Sequence, residues 1–317
     1  MPILNPPNIL PEAMRFLIRA VIASNGKLSS GELIDLVAPP GMAEALKDGA
    51  NSPDEDRDSG NRKGLSTAGR TIAECSLAAL KQLGLLTEHE ETVSLGDVPL
   101  SWKKVEHVSP SEFAILLESS ILSPTGKEVA TDLISACALI HVADRPLEPF
   151  DGFEESSTRS FGAHQRTFLN SDNQQDWAVG NTERWQSLRR LGPYLGWLEP
   201  VDTNGGLGII PNATVAIQRW LVTVDSITLP ASDFLDRLFA RFPFMAPKFF
   251  PVGPSLPPGT IPGGVSLSLF GVAQSGAIKL ENQSDASVVR LSIAPGHEVP
   301  VSHVRINSPK GGKRKRS

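Results

Sequence analysis

Gln186 and Arg190 stand four residues apart in a stretch, Asn181–Gly196, whose apolar spacing predicts one helix. At that spacing both side chains leave the same side and reach the same few base pairs of a duplex. Glutamine suits adenine and arginine suits guanine, so the pair has the chemistry of base readout. Glu183 and Ser187 are expected on the same wet side, with Arg184 and Arg189 at its margins. A second set is Thr67, Arg70 and Lys81, opposite the apolar positions Ile72, Ala79, Leu80 and Leu83 of a helix expected from Ser66 to Gly84. Its neighbouring turn holds Glu88, Glu90 and Glu91, which phosphates repel. A third set is Lys310, Lys313, Arg314, Lys315 and Arg316. Clustered cations of this kind attract a polyanion without reading its sequence.

Covalent chemistry has no comparable pattern. Nucleophilic catalysis needs a nucleophile, a base and an orienting group, and no G-x-S-x-G elbow is present. His141 and Asp144 lie close in sequence, but at an expected helix end, where a histidine beside the last carbonyls is the simpler reading. The run Asn204-Gly205-Gly206-Leu207-Gly208 lacks the lysine of a phosphate-binding loop and fits a hairpin turn. Glu148, Asp151, Glu154 and Glu155 have no histidine partners and are expected to be a solvated acidic loop. The expectation is a protein with no catalytic residue, no cofactor and no metal.

The elements that position these residues repeat. Ser66–Leu95 predicts a helix closed by Gly84 and followed at once by a β-hairpin with strands at Leu85–Thr87 and Thr92–Leu95. Asn181–Ile210 gives the same order, with Gly196 closing the helix and Asn204-Gly205 turning the hairpin. Gly264–Ile293 gives it a third time around Gly276, with 277–293 as the hairpin; its alternating Val265, Leu267 and Leu269 also fit a strand. An amphipathic helix running into a two-stranded hairpin is the second half of a winged helix-turn-helix unit.

Upstream helices complete each unit. Glu12–Ser24 precedes the capping box Ser29–Glu32, and the capping box Ser109–Glu112 opens Glu112–Leu122, with Lys127–Ala143 beyond it. Ala213–Val224 links to Ala231–Phe242. The fold class expected is mainly α with small β-hairpin wings, in tandem winged helix-turn-helix units at 1–105, 106–211 and 212–300. Polar stretch 51–64 is expected to be a mobile insertion, aromatic-rich 144–180 an insertion packed on the body, and 301–317 a flexible basic tail.

Apolar content of 40% and charged content of 21% suit a globular protein of this length, 317 residues. The net charge of −5 conceals an uneven distribution, about −10 once the five terminal cations are set aside. Cys75 and Cys137 fall on apolar helix sides and read as reduced residues of a cytoplasmic protein. No signal peptide and no membrane-spanning run are evident.

The opening LNPPNILPEAMRF, with the tandem helix–hairpin units, resembles the DpdG proteins of bacterial clusters that insert 7-deazaguanine derivatives into DNA. The resemblance implies an accessory protein of a DNA modification or antiviral defence system, acting in a complex beside helicase- and nuclease-like partners. It brings no catalytic residues with it. The resulting expectation is a binder of double-stranded DNA that uses its winged helices and basic tail. The alternative is a scaffold whose winged helices dock other proteins of the complex.

Overall fold

The computed structural model describes residues 3–4, 8–38, 59–96, 98, 108–204, 206–247, 249, 259–294 and 296–307, with 59–69 and Gln174 described for their backbone alone. Close to half of these are helical, and the strands form four small, mostly antiparallel sheets. The chain divides into two compact units, Met1–Ala130 and Thr131–Ser317.

In the first unit, helix α1 (Pro11–Ala23) starts with proline at its first turn, where no amide partner is needed. Asn25 and Gly26, both at positive φ, stop it. The capping box at Ser29 and Glu32 forms as expected and opens α2 (Ser30–Val37). Helix α3 (Ser59–Gln82) starts earlier than expected, so Ser66 lies inside it and not at its start. Residues 59–64 of the expected insertion are therefore helical, and the remaining 51–58 lie outside the described residues.

Gly84, at φ +71°, closes α3 in the left-handed conformation. Strands β1 (Leu86–His89) and β2 (Thr92–Leu95) then pair antiparallel. Ser29 bridges to Thr92, and the Val93 amide donates to the Leu28 carbonyl at 2.8 Å, so the segment before α2 lies along the outer edge of β2. Leu17, Ile18, Leu33, Leu80, Leu86 and Val93 are buried in this core.

The hairpin turn places Glu90 and Glu91 at φ 47° and 66°, a conformation that favours Asn-Gly and strains glutamate. Replacing the pair by Asn-Gly is expected to raise the unit's stability by about 0.5–1 kcal/mol, read as a higher melting temperature. An unchanged or lower value would show that the carboxylates hold the turn.

Helix α4 (Pro110–Ile121) begins with the expected capping box of Ser109 and Glu112. The next helix is broken, contrary to the single span expected over 127–143. Ser123 caps α5 (Pro124–Val129), Ala130 leaves helical geometry, and α6 (Thr131–His141) opens the second compact unit. The α4–α5 turn needs Gly126, since a Cβ there would sit 1.8 Å from the Ser120 carbonyl oxygen.

The second unit contains two successive runs of helices and strands, of which the first holds a helix followed directly by a hairpin. Phe150, following α6, bridges to Ile209, and α7 (Phe161–Leu169) and α8 (Thr182–Leu195) come next. Gly196, at φ +68°, ends α8 before β3 (Glu199–Thr203) and β4 (Gly206–Ile210). This revises the expected insertion at 144–180, which supplies both the bridging residue and the middle helix. Its aromatics pack as expected: Phe150, Phe153, Phe161 and Trp177 are buried, and Phe161 stacks on Trp185 with centroids 5.2 Å apart.

The last repeat comprises α9 (Thr214–Leu221), β5 (Thr228–Pro230), α10 (Ala231–Arg241) and α11 (Gly263–Gln274), the segment that also fitted a strand. It carries two sheets. In one, β7 (Ile278–Glu281) lies beside β10 (His303–Ile306), which in turn pairs with β5. In the other, β6 (Thr260–Ile261) runs parallel to β8 (Val289–Ala294), which pairs antiparallel with β9 (His297–Val301). The hairpin expected over 277–293 is thereby corrected. The short turn through Gly296, at φ +77°, gives β8 a nearer partner in β9, and β7 takes the more distant β10. The expected tail at 301–317 consequently begins inside a sheet.

Sheet β6–β8–β9 lies on α11, where the Ser292 amide donates to Ser266 Oγ at 3.1 Å. On another side the Ala213 amide donates to Ser268 Oγ at 2.9 Å. Ser266 and Ser268 are both fully buried.

Candidate nucleic-acid interface

On α8, Trp185, Leu188, Leu191 and Leu195 face the core, while Glu183 and Arg190 are exposed and Arg184, Gln186 and Arg189 are half-buried. Ser187, expected on the wet side, is fully buried, because the core-facing stripe is wider than its apolar residues suggest. The Asn181 side chain caps the helix by accepting from the Arg184 amide at 2.9 Å. Arg189 Nη1 donates to Gln186 Oε1 at 3.3 Å, so the glutamine is linked to Arg189, one turn along, rather than standing alone with Arg190.

No carboxylate lies within ion-pair distance of Arg184, Arg189 or Arg190 among the described residues. The Nε atoms of Arg184 and Arg189 are buried without a hydrogen-bond partner. Burial, and then the charge of Arg190, push the Arg189 guanidinium below its ordinary range. Adjacent cations without an acidic partner give this side of α8 a positive potential.

The cations of α3 differ. Arg70 is ion-paired with Asp35 at 3.0 Å and Glu74 at 3.1 Å. Lys81 donates to Glu88 at 2.5 Å and to Ser30 Oγ at 2.9 Å, which ties the hairpin back to the helix. The Lys81 bond, helped by Ser30, holds the Glu88 carboxyl below its usual range. The side chain of Thr67 and all of Lys310, Lys313, Arg314, Lys315 and Arg316 lie outside the described residues.

The acidic stretch after α6 is internally compensated. Arg159 donates to the carbonyls of Arg145 and Glu148, approaches Asp144 at 3.5 Å, and stacks over Phe150 at 4.2 Å. Asp151 accepts from the amides of Thr158 and Arg159 at 3.1 and 2.9 Å. Glu154 accepts from Thr182 Oγ1, and Glu155 pairs with Arg166. Asp144, Arg145, Glu148, Asp151, Arg159 and Asn204 line a groove of about 480 Å³, whereas Glu154, Glu155 and Arg166 line a separate one of about 260 Å³. Among the described residues no group of three or more His, Cys, Asp or Glu side chains is placed to hold a metal ion. None of the described helices is long and apolar enough to cross a membrane.

His141 is fully buried, and its Nε2 donates to the Trp197 carbonyl at 2.9 Å. Burial lowers its pKa to about 4, against the smaller opposing effects of the Trp197 and Gly264 backbone. It is a neutral core residue, remote in character from a proton-transfer group.

Sequence reasoning missed one charged pair. Lys279 on β7 and Arg305 on β10 are register partners, 26 residues apart in sequence. The alternation in Ile278–Glu281 and His303–Ile306 carried the signal, but only if the second segment is read as a strand.

A family model described as DpdG-like matches residues 1–286. No curated protein and no solved structure matches the chain.

Proposed function

The chain belongs to the DpdG-like family, whose members point to a role in a DNA modification cluster, and from that premise we propose that it is a non-catalytic accessory component that binds duplex DNA. It acts in the cytoplasm, with other proteins of a modification or defence complex, and is built from three winged helix-turn-helix units. Strand order supports the winged-helix reading. In each repeat the segment before the middle helix lies against the last strand, giving Leu28–Ser29 beside β2, Phe150 beside β4, and β5 beside β10.

The observation that carries DNA binding is the set of arginines on α8 with no carboxylate partner. In a winged helix this third helix enters the major groove and its basic margins meet phosphates. The ion-paired cations of α3 and the buried, uncharged α11 make the other two helices poor readers. Those same two features favour a protein-docking scaffold as the alternative.

A mobility shift with duplex DNA across a salt series separates the two. Binding is expected, with affinity falling steeply as salt rises, because bound phosphates release counterions. Replacing Gln186 and Arg190 by alanine is expected to cost about 1–3 kcal/mol for each base that goes unread and to relax sequence preference. Equal affinity of the double variant, with its circular dichroism unchanged, would sink the assignment of α8. Absence of any shift at moderate salt would leave the scaffold.

A further inference from the structure

Arg189 Nη1 lies 3.3 Å from Gln186 Oε1, one turn away on α8. A guanidinium has donors and no acceptor, so the amide atom that faces it has to be the carbonyl oxygen. That bond commits Oε1 to the neighbouring turn of the helix. Gln186 is half-buried, and its Nε2 has no hydrogen-bond partner among the described residues. Arg189 is also half-buried, with its Nε enclosed by its surroundings, so its guanidinium has little room to swing away. Arg190, four residues beyond Gln186, is exposed. Two residues of the outward side of α8 therefore offer free donors, and the one amide acceptor between them is already engaged.

We infer that Gln186 reads guanine and not adenine, and that Arg189 is the positioning residue that makes it do so. Bidentate recognition of adenine needs both amide atoms, the oxygen accepting from N6 and the nitrogen donating to N7. With its oxygen turned to Arg189, Gln186 offers the groove two N–H donors on one nitrogen. Guanine alone sets two acceptors, N7 and O6, side by side in the major groove. Adenine and thymine each offer one there, and cytosine offers none. Arg190 carries the guanidinium that pairs with the same two acceptors, so both residues ask for the same base. Four residues rise about 6 Å along a helix, less than two base-pair steps of about 3.4 Å, so the two guanines are expected within two steps of each other. The inference rests on the reading of α8 as a duplex reader and names what it reads.

The test selects binding sites from a randomised duplex pool by mobility shift with the full chain, for the unaltered protein, R189M, R189K and Q186M. The unaltered protein is expected to enrich two nearby guanines, each favoured over other bases on the order of tenfold. R189M removes the donor but keeps an unbranched side chain at a half-buried position. It is expected to bind more weakly and to shift one of the two positions from guanine to adenine by a similar factor. Lysine still donates, so R189K is expected to keep guanine there. Q186M is expected to lose preference at that same position and at no other. A merely structural role for Arg189 would lower affinity or melting temperature without moving the base preferred. Circular dichroism checks the fold of each variant, and the unaltered protein with Q186M identifies the base at the Gln186 position even if R189M does not fold. Adenine enriched there by the unaltered protein, or guanine kept there by a folded R189M, overturns the inference and leaves duplex binding through α8 in place. A duplex shifted with no base enriched does the same. If the unaltered protein shifts no duplex, the inference falls with the reading it rests on.

Discussion

Lowering the pH from about 7 to about 4 is expected to remove about 3 kcal/mol from the stability of the unit Thr131–Ser317 through His141 alone. The unfolded chain takes up a proton on this imidazole near pH 6.5, whereas the folded one resists until about pH 4. Between those values the unfolded state binds more protons, so stability falls as pH falls. Above the window the histidine is neutral in both states and contributes no slope. His164, whose pKa burial also lowers against its bond to the Leu139 carbonyl, acts in the same direction. Urea unfolding followed by tryptophan emission measures the effect, since Trp177, Trp185, Trp197 and Trp220 all lie in this unit. His141→Gln keeps a donor toward the Trp197 carbonyl and cannot titrate, so its pH profile should be flatter by that amount. A profile as steep as that of the unaltered protein would remove His141 from the account.

Phe244→Ala is expected to cost the same unit about 3–5 kcal/mol, the range for emptying a buried phenylalanine site. Phe244 is fully buried, with its ring 4.6 Å from Trp197, 5.3 Å from His141 and 6.0 Å from Phe242, centroid to centroid. His141 and Trp197 come from α6 and the end of α8, whereas Phe242 and Phe244 follow α10, so one ring joins the two repeats. Gly264 marks how closely their elements approach, since a Cβ there would lie 2.7 Å from the His141 carbonyl oxygen. No larger residue can move into the gap without disturbing that crossing. A destabilisation below about 1 kcal/mol in urea unfolding would mean that the cavity collapses and that the cluster is not a joint.

What could be read from the sequence was local. Gly84, Gly196 and Gly276 each take positive φ at the end of a helix, as their place before an apolar pair suggested. Both capping boxes form, because their donors and acceptors lie within three residues of each other. What escaped was pairing at a distance. Phe150 gives no strand signal by itself, and its bridge to Ile209 depends on a hairpin some 60 residues later. The middle helix α7 was hidden because its capping Ser160 stands in a run of polar residues that also suits a loop. Helical spacing placed Arg190 and Gln186 away from the core, yet the link from Gln186 to Arg189 depends on rotamers that spacing does not encode. Ser187 was misplaced for a related reason, since a small hydroxyl fits either side of a helix. Lys279 and Arg305 needed a register that only the folded sheet supplies.

Strand β10 is the middle member of its sheet, yet it is made last. During synthesis β5 and β7 leave the ribosome some 75 and 25 residues ahead of the strand that joins them. In that interval each offers unpaired amides and carbonyls and an apolar row, Leu229 on one and Ile278 and Leu280 on the other. The local β8–β9 hairpin can close in the meantime, as its short turn costs little chain entropy. The order of synthesis therefore leads us to expect that this region folds from the β8–β9 hairpin inward. Its nascent form is the stage at which a neighbouring chain could pair with the wrong edge, and the stage at which a holding chaperone would have most to cover.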